Sequence, residues 1–155
     1  MKWRKARGTK SGQGLLLAVV LLLILGALAW YLFSSRRNTE REAWAYAREI
    51  AEHVMLQHDS RYIDANLSYQ AQLVMPPSYR ERIFAKLAEL GTPNRDIKLT
   101  GKVTFSSYFF DARGNFRAEA IFPNGPAHLS IVVSPSHGPW QIEGLDVIWN
   151  PERNF

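Results

Sequence analysis

Hydrophobic residues run unbroken from Leu15 to Phe33, nineteen positions without a charge. As an α-helix this run extends about 28 Å, close to the roughly 30 Å of a bilayer's hydrocarbon core. The pattern predicts a transmembrane helix over 15–33, followed by a short polar connector over 34–39. The pattern then becomes amphipathic. Trp44, Ala47, Ala51, Val54 and His58 recur at helical steps, with Ile50 widening the stripe, and predict a helix from Glu40 to Gln57. Thr39 is its expected N-cap, with Glu40 and Glu42 in the first turn, where carboxylates are favoured. Ser60 is expected to cap a short helix from Arg61 to about Leu67. Ser78 is expected to cap another from Tyr79 to Leu90, closed by Gly91 with Pro93 beyond.

From Asp96 the period changes to two. Ile97, Leu99, Val103, Phe105 and Phe109 alternate with mostly polar residues. Ala112–Asn115 reads as a turn, and Phe116, Ala118, Ala120 and Phe122 form the next inward set. Pro123–Pro126 turns the chain again before Leu129, Ile131 and Val133. In the last strand the inward set changes from Trp140 and Ile142 to Leu145, Val147 and Trp149, which predicts a bulge near Gly144. The expected fold is α+β, a transmembrane helix followed by helices packed on a four-stranded antiparallel sheet. The division is a basic tail over 1–14, the span over 15–33, the connector over 34–39, one domain over 40–150 and a tail over 151–155.

Charge sharpens this division. The net charge of +5 belongs entirely to Lys2, Arg4, Lys5, Arg7 and Lys10, because the 14 remaining basic residues face 14 acidic ones. The domain is formally neutral, which argues against a nucleic-acid partner. The basic tail reads as a topology signal and a contact for anionic lipid. Arg36, Arg37, Arg41 and Arg48 compete from the other side of the span, but the tail carries no acid. The expected orientation is therefore tail in the cytoplasm and domain beyond the membrane, which in a bacterium means an inner-membrane protein with a periplasmic or extracellular domain. Ala27-Leu28-Ala29 matches a secretory cleavage pattern. The apolar run continues through Trp30, Tyr31, Leu32 and Phe33, which favours an uncleaved anchor. The absence of cysteine removes disulfides and thiolate chemistry.

Candidate chemistry is sparse. Tyr62, Tyr69 and Asp64 are weak candidates for acid–base work, since a phenol beside a carboxylate can polarise a carbonyl and move a proton. Glu119 and His128 have the parity opposite to Phe116 and Leu129, so they belong on the other sheet face. His53 and His58 are five residues apart, the wrong spacing for a helical metal pair, and no metal or cofactor is expected. Tyr108 and Phe110 are expected to share the second sheet face with Ile121, Val132 and Ile148. An apolar face of that kind needs cover, from a protein partner, a second copy or the chain itself.

The order of elements resembles the cone-shaped fold of the nuclear-transport-factor-2 and ketosteroid-isomerase superfamily. The likeness rests on the long helix over Glu40–Gln57, the helix ending Leu87-Ala88-Glu89-Leu90-Gly91, and the closing Gly138-Pro139-Trp140-Gln141-Ile142-Glu143-Gly144-Leu145. Cystatin-like folds and a membrane-anchored cytochrome-oxidase assembly-factor family share a similar plan. The resemblance implies a pocket between sheet and helices in the enzymes of the superfamily. In its anchored members it implies a non-catalytic, protein-binding role as assembly or scaffold subunits of envelope machines. The expectation is a membrane-anchored domain acting by protein–protein contact, with a pocket-based ligand binder or enzyme as the alternative.

Overall fold

A computed structural model of the chain describes residues 11–94, 96–106, 111–135 and 138–149, with helices first and strands after. The helices are α1 (Ser11–Met55), α2 (Ser60–Asn66), α3 (Tyr69–Val74) and α4 (Pro77–Leu90). The strands are β1 (Lys98–Phe105), β2 (Ala112–Phe122), β3 (Gly125–Ser134) and β4 (Gln141–Trp149). They form one antiparallel sheet in the order β1-β2-β3-β4. The fold is α+β, as the pattern predicts.

The chain divides into two units, Met1–Asn38 and Thr39–Phe155. In the first, α1 carries an apolar stretch long enough to cross a membrane, and none of it is buried. A core helix of equal hydrophobicity would be covered. Residues 34–39, expected as a connector, are helical. They hold neither glycine nor proline, so nothing there interrupts the ladder. The Arg37 guanidinium lies 4.5 Å from the centre of the Phe33 ring, one turn back.

In the second unit the C-terminal part of α1 lies against the sheet. Ala43, Ala47 and Ala51 are fully buried, and so are Ile50, Val54 and Met55. Ala118, Ala120 and Ala127 of the sheet are buried in the same core. β2 alternates buried and exposed without exception, which fixes its register. Phe116 is buried, meets Trp44 edge-to-face at 4.9 Å, and crosses two glycines. A Cβ on Gly101 would come within 2.5 Å of the Phe116 ring, and one on Gly114 would strike the same ring. The bulge falls where the parity change predicts. Val132 pairs with Gly144 and Val133 with Ile142, so Glu143 is the extra residue.

Several local features differ from the sequence reading. Ala112–Asn115 is not a turn but the start of β2, and the chain reverses between Ser106 and Asp111, whose N–H and C=O bond at 3.0 Å. Gly114 serves close packing under Phe116 instead of a turn. Asp59, not Ser60, caps α2, accepting from the N–H groups of Arg61 and Tyr62. His58 takes a left-handed conformation just before it (φ 51°). α3 was not foreseen; Ser68 caps it through the Ala71 N–H. α4 begins at Pro77 without a side-chain cap, proline at N1 being pre-shaped for a helix. Gly91 closes it at φ 84° as expected, and Asn124 then ties it to the β2–β3 turn by donating to the Glu89 carbonyl at 2.6 Å.

The Phe116 contact predicts the cost of its removal. Phe116→Ala lowers stability by about 3–5 kcal/mol, read as the urea midpoint of the full chain in detergent by tryptophan fluorescence. Gly114→Val destabilises as well, since its side chain would overlap Phe116 and Val133. A loss below about 1 kcal/mol for Phe116→Ala contradicts this packing.

Candidate functional site

The pocket that the resemblance implies would lie between helices and sheet. Side chains fill that space: Ile50, Met55, Ile63, Leu87, Leu129 and Ile131 are each essentially fully buried there. Two open clefts lie at its margins. One, of about 250 Å³, is lined by Arg48, Ala51, Glu52, Leu56, Asp96, Ile97 and Leu99. The other, of about 310 Å³, is lined by Ser60, Asp64, Pro77, Arg80, Glu81 and Phe84.

The weak acid–base candidates are placed apart. Tyr62 stacks on His53, ring centres 3.9 Å apart and nearly parallel. Burial, then the neighbouring Tyr46 and the Glu49 carboxylate, raise its pKa. The Tyr46 phenol is pushed up to about 12 by burial and by Glu49. Both phenols stay protonated at ordinary pH, so neither serves as a base. Asp64 is paired with Arg80, Nε to Oδ1 at 2.8 Å. Tyr69 is 74% exposed on α3. No two of Tyr62, Asp64 and Tyr69 line the same cleft. His53 Nδ1 lies 3.5 Å from Asp59 Oδ2, within ion-pair distance. Among the described residues no cluster of three metal-ligating side chains occurs.

The outward sheet face is a grid whose rows follow from the pairing. Lys98, Glu119, His128 and Ile148 form one row, Thr100, Arg117, Ser130 and Asp146 the next, and Lys102, Asn115, Val132 and Gly144 a third. Every outward position of β2 is exposed. Glu119 and His128 are thus on this face, as their parity predicts. Ile121 (48%) and Ile148 (44%) are exposed, and Val132 is half-buried. Polar residues separate these three. Tyr108 and Phe110 lie outside the described residues. Arg117 Nη2 meets His128 Nε2 at 3.1 Å. The guanidinium can only donate, so Nε2 accepts and the ring proton sits on Nδ1. Burial and the Arg117 charge lower the His128 pKa, while Glu119 and Asp146 pull it upward less strongly. Tyr79 donates to Asp146 Oδ1 at 3.0 Å from beside the sheet edge.

Sequence reasoning missed the asymmetry of the two edges. β4 has company, because the Ser68 N–H donates to the Ile142 carbonyl at 3.0 Å and Leu67 bridges to Ile142. Among the described residues β1 has no strand beyond it. Its inward Leu99 and Val103 are only half-buried, and the smaller cleft opens beside Leu99. The alternation of Lys98, Thr100, Lys102 and Thr104 with Leu99 and Val103 was visible, but not that this strand ends the sheet. No family model, curated protein or solved structure matches the chain.

His128 gives a signed pH dependence. Its folded pKa lies below the unfolded value near 6.5, so the unfolded chain takes the proton more readily. The associated stability is present above about 6.5 and is lost as pH falls through that value toward the folded pKa. The effect is modest, because the ring is only partly buried. The urea midpoint of the parent falls more than that of His128→Gln between neutral and mildly acidic pH. Arg117→Gln raises the His128 pKa measured by NMR, and an unchanged value contradicts the contact.

Proposed function

We propose that this chain is a single-pass membrane protein whose small α+β domain acts by protein–protein contact, in an assembly or scaffold role at the bacterial cell envelope. The observation that carries the reading is the contrast between the two sides of the sheet. The inner side is filled by the chain's own residues, while the outer side stands uncovered among the described residues and displays Ile121 and Ile148. A filled interior leaves an enzyme-like pocket little room. A bare face on an anchored domain suits a subunit that meets its partners in the plane of a membrane, where confinement raises effective concentration.

The anchor reading is supported by the uncovered apolar stretch of α1 and by five tail cations without an acid. It puts the N-terminus in the cytoplasm and the domain in the periplasm or outside, at the inner membrane. Membership of the nuclear-transport-factor-2 and ketosteroid-isomerase superfamily belongs to the same proposal, supported by helices that precede a single antiparallel sheet.

A chain without cysteine makes the topology simple to read. Ser78→Cys reacts with an impermeant maleimide in spheroplasts, and Ser11→Cys reacts only after permeabilisation; the reverse pattern contradicts the orientation. Mass spectrometry finds the full chain, and a mature N-terminus at Trp30 contradicts the permanent anchor. Cross-linking in native membranes captures a protein partner or a second copy, and Ile121→Asp with Ile148→Asp reduces that product several-fold. A product unchanged by both substitutions contradicts contact through this face.

A further inference from the structure

The outer edge of β1 carries more information than the bare sheet face. The Ser106 N–H donates to the Asp111 carbonyl at 3.0 Å, Thr104 Oγ1 to the Arg113 carbonyl at 3.2 Å, and Thr100 Oγ1 to the Arg117 carbonyl at 3.3 Å. These carbonyls point at β1, so its even-numbered residues direct their main-chain groups to β2. Leu99, Gly101 and Val103 therefore turn their N–H and C=O groups to the open side. Among the described residues no segment pairs with them there. An open edge of this kind is a template for one more strand.

Its side chains say which strand. An added strand places alternate residues beside Leu99 and Val103, on the helix-facing side. There the half-buried Leu99 and Ile97 and the exposed Leu56 border the cleft of about 250 Å³. The other residues would stand beside Lys98, Thr100 and Lys102, all exposed. Behind them, on the same face of β2, come Arg113 and Arg117, with Glu119 as the acid in that part of the grid. A second copy fits this edge poorly, because β1 contains two lysines and no acid to set against them.

We propose that the β1 edge receives an extended segment of a partner protein, acidic on its outward residues and apolar on its inward ones. The segment adds as a fifth strand and seats its apolar side chains in the cleft between β1 and α1. The inference deepens the contact reading and rests on it.

The test uses the full chain in lipid nanodiscs and a soluble peptide of alternating valine and glutamate as probe. The glutamate peptide binds at least tenfold more tightly than its lysine counterpart. Of two versions N-methylated on alternate residues, one loses binding and the other retains it, because only one set of amides faces β1. In Lys98→Glu with Lys102→Glu, both at exposed positions, the preference reverses. Equal affinity for the two peptides, equal effects of the two methylation patterns, or an unchanged preference in the double variant overturns the proposal. So does a dimer of the full chain that the glutamate peptide disrupts, since it assigns the edge to a second copy. Native cross-links that persist in the double variant overturn the edge alone and leave the contact reading standing, whereas the absence of any cross-linked protein removes that reading itself.

Discussion

The packing of α1 on the sheet, through the shared core and the Trp44–Phe116 contact, shapes most of what this domain can do. Ala43, Ala47 and Ala51 of the helix and Ala118 and Ala120 of the sheet are all buried in that core. Phe116 then fills the remaining volume by lying over Gly101 and Gly114 and under Trp44. The chain's own side chains thus fill the space between the layers, and the clefts lie open at its margins. The same contact covers only one face of a four-stranded sheet and stops short of β1, whose inward residues are half-exposed. A sheet buried on one side with a half-covered edge has its unused valence on the outside.

Strongly periodic segments are legible in the sequence alone. The alternation of Phe116, Ala118, Ala120 and Phe122 placed β2's faces correctly, and the parity change around Gly144 located the bulge to within a residue. Short segments were less legible. α3 has six residues, too few for a helical period to emerge, and it forms because Ser68 caps it beside the β4 edge. Gly114 looked like a turn residue because glycine serves both turns and tight packing, and only the position of the Phe116 ring distinguishes them. The continuity of α1 was hidden by polar residues over 34–39, whose composition permits a helix without demanding one.

The candidate residues separate along the same line. Parity put Glu119 and His128 on the outward face, and the register brings His128 against Arg117. Nothing local in Tyr62, Asp64 and Tyr69 could reveal that they belong to different surroundings, since those depend on how α2, α3 and α4 pack. The importance of β1 was equally hidden. Strand order is a tertiary property, and Lys98 and Lys102 look like ordinary surface residues until β1 is known to end the sheet. Anchor, neutral domain and open edge fit the proposed account, in which attachment places the domain and its solvent-facing side meets another protein.

The most direct measurement of that account is amide hydrogen exchange at Leu99, Gly101 and Val103, compared between the chain in isolated native membranes and the chain purified into nanodiscs. The account predicts strong protection in the native membrane that is lost on purification, while β2 and β3 amides exchange equally slowly in both. Equal, rapid exchange of the β1 amides in both preparations would contradict it.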